Sequence, residues 1–400
     1  MANNNDKKVL NVPALRFPEF TGEWEKCKLS KVCSFFSGGT PPSSNKEYYN
    51  GNIPFIRSGE LHNDETELFI TKEGLDNSAA KMVEVGDLLL ALYGATSGDI
   101  AISKIKGAIN QAILCIRTKQ NKKFVESVWN KHVARLLQTY LQGGQGNLSA
   151  DIVKNIPFYF TNIEEQNKLA RFISLLDQRI AAQNKIIEKY ESLIQAICDT
   201  LVEAEQHKVE LSFNDFGEPY SGLSGKSADD FGEGCQYITY MNVYQNQIID
   251  TTDVGLVKIN ETEQQSVVRY GDILFTLSSE TPNEVGMGAV YLGDTYPLYL
   301  NSFCFGVRII DESKIFPPFL AYYISTKSFR KAVFPLAQGS TRFNLQKSDF
   351  MKKMFLFPKV EKQNKIYTTL KAYSDKLSIE KRIAKLLCEQ KSFLLRQLFI

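Results

Sequence analysis

The sequence has no long hydrophobic run and no cysteine pattern of a secreted protein. None of its apolar stretches approaches the roughly 18 residues that cross a bilayer, and the polar, Asn-rich start has no apolar signal-peptide core. The seven cysteines are scattered without a CxxC pair, which is typical of reduced thiols and not of disulfides or a zinc site. We therefore expect a cytoplasmic protein with no membrane contact, in which residues 1–12 form a disordered lead-in.

The sequence also lacks a recognisable catalytic apparatus. Its three histidines, His62, His132 and His207, lie in unrelated segments without a partner at the spacing of a metal site or a catalytic dyad. Residues 222–227 resemble a phosphate-binding loop, but that motif requires a glycine at the position of Tyr220. We interpret this stretch as a polar surface loop and expect neither a catalytic residue nor a metal site.

A strong basic excess is missing as well, since the formal net charge is only +2. Residues 1–157 carry 19 basic and 16 acidic side chains, a net charge of +3, and residues 206–358 carry 13 and 17, a net charge of −4. A self-sufficient nucleic-acid-binding protein usually has a clear excess of Lys and Arg. Bulk charge therefore gives no support for nucleic-acid binding.

What the chain does have is a long helical seam. From residue 169 to residue 201 the apolar positions alternate in steps of four and three once Gln183 is counted, which is the 3.5-residue repeat of a helix packed against a partner helix. Thr161 and Glu164 have the spacing of a capping box, with Thr161 as the N-cap. The seam residues that we expect to pair are Leu169, Ile173, Leu176, Ile180, Ile187 and Ile194.

The seam recurs 197 residues later. Gln183 corresponds to Glu380, and residues 164–168 correspond to 361–365, so an internal duplication explains the pattern best. The second set of expected pairing residues is Leu370, Tyr373, Leu377 and Leu387. Residues 158–205 carry 5 basic and 8 acidic side chains (−3) and residues 359–400 carry 10 and 4 (+6), which favours pairing with each other over self-pairing. The alternative is two independent amphipathic helices on separate cores, but these usually have a wider apolar stripe.

The segments outside the two seams have the patterns of two mixed α/β domains. Residues 13–157 contain predicted strands at 53–57, 88–93 and 108–117 and a predicted helix at 124–141. Residues 206–358 repeat this order loosely: Gly86-Asp87 is echoed by Gly271-Asp272, and Arg117 by Arg308. The predicted division is a globular domain over 1–157, a long helix over 158–205, a second domain over 206–358 and a C-terminal long helix over 359–400.

Polar loop residues are the candidates for ligand contacts. Loops rich in Gly, Ser, Thr and Asn beside isolated Arg, Lys and Tyr suit contacts to phosphates and base edges, although ordinary solvated loops look the same. The candidate DNA-binding residues are Thr40, Ser43, Lys46, Tyr48, Arg57 and Tyr93 in the first half and Lys226, Tyr240, Asn242 and Arg342 in the second.

Several motifs together resemble the specificity (S) subunit of type I restriction–modification enzymes. The residues that carry the likeness are Leu15-Arg16-Phe17-Pro18-Glu19-Phe20 through Trp24, Gly38-Gly39-Thr40-Pro41, Pro54-Phe55-Ile56-Arg57, Gly86-Asp87-Leu88-Leu89, and Gly146-Asn147-Leu148-Ser149 leading to Glu164-Glu165-Gln166. The likeness covers residues 13–400. It departs from the family at Phe213-Asn214-Asp215-Phe216, where a tryptophan-containing start of the second domain is common, so the second boundary is less well defined.

This resemblance implies a fold and a set of partners. The fold is α+β, with two target recognition domains, each reading half of a split double-stranded DNA sequence, separated by two long helices in an antiparallel coiled coil with pseudo-two-fold duplication. The helices set the spacer and dock two modification (M) subunits; restriction (R) subunits join through the complex. S-adenosylmethionine, ATP and Mg belong to those partners, and this chain has no cofactor and is not an enzyme.

Two other functions are compatible with parts of the pattern. The first alternative is a coiled-coil scaffold whose globular ends bind protein without DNA specificity. The second is a self-contained DNA methyltransferase, which is disfavoured because no glycine-rich methyl-donor loop follows a strand.

Overall fold

The computed structural model describes residues 10–141 and 148–400. Most of the expected lead-in and the glycine-rich stretch 143–147 lie outside these residues. The chain divides into two compact units. Unit 1 consists of Met1–Gln183 with Ile383–Ile400, and unit 2 of Asn184–Arg382. All seven cysteines are free thiols, and none of the described helices contains an 18-residue stretch apolar enough to cross a membrane.

The described part of unit 1 contains ten strands and four short or medium α-helices before the first long helix. In chain order these are β1 (Glu25–Lys28), α1 (Leu29–Val32), β2 (Cys33–Ser37), β3 (Tyr49–Ile56), β4 (Phe69–Ile70), α2 (Lys72–Asp76), β5 (Lys81–Val83), β6 (Leu88–Ala91), β7 (Ile100–Ile102), β8 (Gly107–Ile109), β9 (Ile113–Thr118), α3 (Lys122–Leu141), α4 (Ala150–Asn155) and β10 (Pro157–Phe160). The long helix α5 (Ile163–Ala204) begins in unit 1 and continues into unit 2.

Unit 2 repeats this order with additions. Its elements are β11 (Lys208–Ser212), β12 (Gly217–Ser221), β13 (Phe231–Ile238), α6 (Tyr240–Gln245), β14 (Val254–Val257), β15 (Ile273–Thr276), β16 (Ser278–Ser279), β17 (Gly288–Val290), β18 (Tyr299–Leu300), β19 (Cys304–Ile309), α7 (Pro317–Tyr323), α8 (Lys327–Val333), β20 (Ala337–Gln338), β21 (Phe343–Leu345), α9 (Lys347–Lys352) and β22 (Met354–Pro358). The second long helix, α10 (Val360–Leu398), begins in unit 2 and continues into unit 1.

The two units share their sheet topology. The order β2-β9-β6-β7 in unit 1 corresponds to β12-β19-β15-β17 in unit 2, and the pair β1-β10 corresponds to β11-β22. In both units one parallel pair joins a long strand to a short one, β3 with β8 and β13 with β18. The expected duplication is therefore visible in the strand pairing, and the fold is the expected α+β fold.

A buried strand runs through the middle of each unit. On β6, Leu88 and Leu90 belong to one hydrophobic cluster, and Leu89 and Ala91 belong to another on the opposite face. Because successive side chains of a strand point to opposite faces, a strand covered on both sides reads as a continuous apolar run. The predicted strand at 88–93 has this origin.

Equivalent ion pairs connect the echoed motifs. The Arg117 guanidinium lies 2.7 Å from the Asp87 carboxylate, and that of Arg308 lies 2.8 Å from the Asp272 carboxylate. Burial alone would raise the pKa of Asp87, but the hydrogen bonds from Arg117 and from the Glu84 N–H, together with the charges of Arg117 and Lys122, lower it. The sequence echo therefore reflects a repeated structural contact and not a catalytic pair.

Two of the expected boundaries differ in the structure. The predicted strand 108–117 is two strands, β8 and β9, because Asn110 turns the chain and its Oδ1 accepts the Ala112 N–H at 3.1 Å. The predicted helical segment 158–205 begins later, at Ile163, because Pro157–Phe160 form β10 and pair with β1. Thr161 is therefore not the N-cap. Asn162 takes that role, and its Oδ1 accepts the Glu165 N–H at 2.9 Å.

The long helices pack against each other with opposite chain directions. In unit 2, Glu191 pairs with Lys381 at 2.7 Å and Glu205 with Lys362 at 3.7 Å, so residue numbers rise along α5 as they fall along α10. In unit 1, Asp177 and Lys391 are 2.5 Å apart. Lys391 lies 197 residues after Ile194, so a cation occupies a position of the second seam that is apolar in the first. Its ion pair with Asp177 explains how the seam accommodates the charge.

The expected seam residues divide into a buried and a more exposed group. In unit 1, Leu169 and Ile173 are buried in a cluster with Leu395 and Leu398, and Leu176 packs on it. In unit 2, Ile194 and Leu370 are buried in one cluster, and Leu377 packs on it. Ile180, Ile187 and Leu387 are half-buried and Tyr373 is exposed, and their pairing roles stay predictions.

A buried glutamine near the start of each long helix explains the repeated residues there. Gln166 accepts the Asn121 N–H at 3.1 Å and donates to the Thr161 carbonyl at 2.6 Å. In unit 2, Gln363 accepts the Phe316 N–H at 2.8 Å and donates to the Pro358 carbonyl at 2.8 Å. Both glutamines are fully buried. Each therefore satisfies backbone groups that would otherwise be buried without a partner.

Replacing Gln166 by Ala is expected to lower the free energy of unfolding of unit 1 by about 3 kcal/mol, because it leaves buried backbone donors and acceptors unpaired. The two tryptophans of the chain, Trp24 and Trp129, are both buried in unit 1, so their fluorescence during urea unfolding reports on this unit. The matched control is Gln178→Ala on the exposed face of α5, for which we expect less than about 0.5 kcal/mol. Equal effects of the two substitutions would contradict the assigned role.

Candidate functional site

The Gly38-Gly39 loop of unit 1 lies directly on the end of β8. The Gly39 N–H donates to the Ile109 carbonyl at 3.2 Å, and a Cβ on Gly38 would lie 1.9 Å from that same carbonyl oxygen. Only glycine allows this approach. It brings the Thr40 hydroxyl to the side chain of Gln111, to which it donates a hydrogen bond.

Tyr93, two residues beyond the end of β6, lies beside Gln111. Burial raises the pKa of Tyr93, and a hydrogen bond with Gln111 partly opposes that rise. Thr40 and Tyr93, two of the predicted residues, are therefore linked through Gln111, which the prediction missed. A signal was available in the sequence, because Gln111 immediately follows Ile109-Asn110, which the second half repeats as Leu300-Asn301. Its exposed amide suits bidentate contact with an adenine edge.

The other predicted residues of unit 1 have different environments. Ser43 and Lys46 are exposed and make no ion pair or side-chain hydrogen bond within the described part of the chain. Tyr48 is half-buried. Arg57 is held by Glu60 at 2.9 Å and Glu67 at 2.7 Å. Burial alone would raise the pKa of Glu60, but the hydrogen bonds from Arg57 and neighbouring groups lower it to about 2.

In unit 2, Tyr240 and Arg342 come together at a cavity of about 470 Å³. The Tyr240 ring stacks on Tyr244 with centroids 5.9 Å apart and planes 16° apart. Tyr244 donates to the Glu284 carboxylate at 2.6 Å, and this hydrogen bond raises the pKa of Tyr244 to about 12. Phe303, 60% exposed, supplies a further ring. We call this site the aromatic cavity; it is lined by Tyr240, Met241, Tyr244, Ser278, Ser279, Glu280, Thr281, Glu284, Phe303 and Arg342.

The chemistry of the aromatic cavity suits base edges better than phosphates. Glu280 and Glu284 would repel a phosphate but accept hydrogen bonds from amino groups of bases. The exposed rings offer surfaces for apolar contact, and Arg342 makes no hydrogen bond or ion pair with the residues that the structure describes. An unengaged guanidinium at such a site suits bidentate contact with guanine.

Two predicted residues of unit 2 have structural roles instead. The Lys226 ammonium lies 2.5 Å from the Glu263 carboxylate, and its side chain is only 4% exposed. Asn242 is fully buried, and its amide donates to the carbonyls of Asp250 at 2.7 Å and Asp253 at 2.6 Å. Because buried polar groups need these partners, the structure does not offer either side chain to a ligand. Local sequence cannot distinguish them from solvated loop residues, because their partners lie 8 to 37 residues away in the chain.

The Lys226 loop corresponds to the Gly38-Gly39 loop of unit 1. The Gly222 N–H donates to the Cys304 carbonyl at 3.2 Å, and a Cβ on Gly222 would lie 2.0 Å from the Asn301 carbonyl oxygen. The stretch that resembles a phosphate-binding loop is therefore the second copy of a loop that packs closely on a sheet. Gly222 is required for this close packing.

One side-chain pair was not foreseen. His62 Nε2 lies 3.0 Å from both carboxylate oxygens of Asp99, and the hydrogen bond to Asp99 raises the pKa of His62. The two residues are 37 positions apart, so spacing gives no hint of the contact. No group of three or more His, Cys, Asp or Glu that could hold a metal ion occurs within residues 10–141 and 148–400.

Comparisons with known proteins agree on one family. The family model described as "Type I restriction modification DNA specificity domain" matches residues 21–192 and 223–388. The chain is 22% identical over 393 residues to the specificity subunit of the type I restriction enzyme MjaVIII of Methanocaldococcus jannaschii, which covers 92% of this chain and 89% of that protein. It is 27% identical over 181 residues to the MjaIX specificity subunit of the same organism, covering 42% and 41%.

Two solved structures share the fold. The type I restriction–modification S subunit from M. genitalium matches with a TM-score of 0.52 and 17% identity over 97% of this chain and 99% of that one. A chain from a structure on the complex assembly and conformational transition of the type I R-M system matches with a TM-score of 0.55 and 15% identity, over 93% and 96%.

Proposed function

This chain belongs to the type I restriction–modification DNA specificity family, and we propose that it selects the DNA target of its complex, with each unit reading one half of a split sequence. One observation carries the proposal: the family model matches twice, and the two units that contain these matches share their sheet order and their Arg–Asp pairs. A repeated reader suits a target made of two half-sites. The scaffold alternative has no comparable support.

The chain is a non-catalytic specificity subunit, so the chemistry lies elsewhere in the complex. We propose that the modification subunits bind S-adenosylmethionine and methylate adenine, and that restriction subunits use ATP and Mg. Double-stranded DNA and these subunits are the proposed partners, and the cytoplasm is the proposed location. The family carries no cofactor in the specificity subunit, and the chain needs none for reading DNA.

The proposed reading residues are the predicted ones whose side chains are not held in a structural role, or which lie together at one site. In unit 1 they are Thr40, Ser43, Lys46, Tyr48 and Tyr93 together with Gln111, and Arg57 contributes only if it leaves its two carboxylate partners. In unit 2 they are Tyr240 and Arg342 with the aromatic rings beside them. Asn242 lies on α6 with Tyr240 and ties this helix to the carbonyls of Asp250 and Asp253, and Lys226, paired with Glu263, is not a proposed reading residue.

Exposed apolar side chains on the long helices support docking of two modification subunits. Unit 1 exposes Leu175, Leu386 and Phe393, each 50–55% exposed, and Leu386 and Phe393 are seven residues apart. Unit 2 exposes Leu193 at 44% and Ile379 at 54%. Large apolar side chains at heptad spacing on a helix already paired along its other face suit a further helix. Because both units have such a surface, we propose one modification subunit for each.

The proposed function is tested by sequencing modified bases in cells that carry this chain with its partner subunits. We expect a single split motif with a methylated adenine in each half. An active methyltransferase complex that modifies no sequence-defined motif would contradict DNA specificity and favour the scaffold. The partner-free chain is expected to transfer no methyl group.

The double substitution Tyr240→Ala and Arg342→Ala is expected to weaken discrimination in one half-site by roughly 10- to 100-fold, as expected for the loss of a base contact. The measurement is the affinity of the complex for targets with single base changes in each half. Discrimination in the other half should stay unchanged. Lys331→Ala, an exposed cation on α8 of the same unit, is the control and should change neither half. Equal loss in both halves would show that the two residues do not read a half-site.

A further inference from the structure

Unit 1 contains a second concave site that the proposed reading residues do not use. This basic cavity has a volume of about 650 Å³ and lies between α3, β1, β10 and the last turn of α10. Among the residues that the structure describes, no Asp or Glu side chain lines it. The lining residues are Lys26, Lys131, His132, Arg135, Leu136, Thr139, Ile156, Pro157, Phe158, Tyr159, Arg396 and Ile400.

Contacts within unit 1 position three of its basic side chains, Lys26, Lys131 and His132. Lys131 donates to the Phe399 carbonyl, and His132 Nε2 lies 2.8 Å from the Ile400 oxygen while its ring stacks on Phe158 at 5.4 Å. Lys131 and Arg135 are one helical turn apart on α3 and so lie on the same face. Arg396 approaches from α10. Lys26, from β1, lies over the Tyr159 ring at 5.6 Å.

These positive charges are not neutralised by acidic side chains. Lys26, Lys131, Arg135 and Arg396 make no ion pair with any Asp or Glu that the structure describes. Burial lowers the pKa of Lys131, and the charge of Arg135 lowers it further. Burial also lowers the pKa of His132, and Lys131 and Arg135 add to that effect, although the hydrogen bond to Ile400 opposes it. Like charges held this close raise the free energy of the empty cavity, and a bound anion would lower it.

The basic cavity is not required by the fold, because unit 2 has a different arrangement at the equivalent place. The shift of 197 residues that relates the two long helices makes Asp199 the counterpart of Arg396. Asp199 is buried, accepts the Lys327 N–H at 2.8 Å and lies 3.3 Å from Gln195 Nε2. Unit 2 therefore has the buried carboxylate of Asp199 at the position where unit 1 has the exposed guanidinium of Arg396. A ligand of the basic cavity is therefore expected once per chain, unlike the duplicated readers.

We propose that the basic cavity binds phosphate groups. Two guanidinium groups, two ammonium groups and the Thr139 hydroxyl border one concave surface, and this combination of fork-shaped and point-like donors matches the oxygens and the negative charge of a phosphate group. The phosphate has two possible sources, the DNA backbone and a free polyphosphate or nucleotide. The DNA source rests on the proposed function, and the free source does not.

The first arm of the test uses inorganic tripolyphosphate with the full chain. The chain has only three histidines, so carbon-13 labelling of the imidazole gives three resonances, and His132→Gln assigns the one in the cavity. We expect tripolyphosphate to raise the pKa of His132, because a nearby anion favours the charged imidazole. The variant Arg135→Ala with Arg396→Ala should bind tripolyphosphate at least ~10-fold more weakly. Both arginines are exposed, and tryptophan fluorescence checks that unit 1 stays folded.

The second arm uses target DNA and the chain assembled with its modification subunits. Binding is measured between 50 and 200 mM salt. If the cavity takes backbone phosphates, loss of two contacts should reduce the slope of log K against log salt by about 1.8. The control, Lys31→Ala with Lys119→Ala, removes two exposed cations of unit 1 that do not line this cavity, and it should leave tripolyphosphate binding intact.

The results of the two arms distinguish the DNA backbone from a free phosphate compound as the ligand of the basic cavity. A reduced slope in the Arg135 and Arg396 variant, but not in the control, identifies the DNA backbone. Loss of tripolyphosphate binding with an unchanged slope identifies a free phosphate compound. An unmoved His132 resonance together with an unchanged slope overturns the proposal, as does an equal effect of the control on both measurements. If the unsubstituted complex shows no sequence-specific binding, the proposed function fails, while the tripolyphosphate arm still decides whether the cavity is a phosphate site.

Discussion

Replacing residues 13–160 by the matching segment of a specificity subunit with a different known target is expected to change one half of the DNA motif and leave the other half intact. The junction follows from the structure: β1 and β10 pair along their whole length, so both must come from the same donor. Sequencing of methylated bases in cells reads both halves in one experiment. The expected effect is complete, because base choice depends on side chains within the exchanged segment.

The matched control for this exchange is the reciprocal replacement of residues 208–358, which keeps β11 and β22 together. It should change the opposite half only. A change of both half-sequences after either exchange would show that the units do not read independently. Loss of methylation without a new motif points to misfolding, which circular dichroism during urea unfolding detects for both exchanged chains.

Lengthening both long helices by one heptad is expected to lengthen the unread spacer between the half-sites by about three base pairs. The insertions belong after Gln183 in α5 and after Arg382 in α10, where the two units divide. Insertions at these points leave both ion pairs between the helices intact, Asp177 with Lys391 in unit 1 and Glu191 with Lys381 in unit 2. Seven residues restore the 3.5-residue repeat and add roughly 10 Å to each helix, which corresponds to about three pairs at roughly 3.4 Å each.

The helical twist of DNA limits how closely the preferred spacer can follow the added helix length. Three added pairs turn the second half-site by about 100°, given roughly 10.5 pairs per turn. We therefore expect a preferred spacer about two to four pairs longer, measured by selecting methylated sites from a library of spacers, with both half-sequences unchanged. A double-insertion variant that stays active at the parental spacing would show that the helices join the readers without measuring between them.

An insertion in α5 alone is the control for the helix prediction. It cannot keep both Asp177 with Lys391 and Glu191 with Lys381 in register, since α10 is unchanged. We expect this variant to lose the apolar seam in one unit and to lose sequence-specific methylation. Full activity of the single insertion would show that the seam does not hold the helices in register.

The sequence by itself determined the repeated architecture of this protein. A 3.5-residue apolar period is a local property of a helix, so it located α5 and α10 and, through the shift of 197 residues, the pair Gln166 and Gln363. Apolar runs likewise located the buried central strands. The spacing of Thr161 and Glu164 predicts Thr161 as the N-cap of α5, whereas Asn162 has that role in the structure, because β10 extends to Phe160 and α5 begins only at Ile163.

Only the tertiary structure decided which polar side chains are free to meet a ligand. Lys226 and Arg342 look alike in sequence, as isolated cations in polar loops. Lys226 is neutralised by Glu263, 37 residues away, whereas Arg342 borders the aromatic cavity without a partner among the described residues. The basic cavity depends on Arg135 and Arg396, which lie 261 positions apart in the chain. Such long-range convergence follows from how helices and sheets pack, and no local period records it.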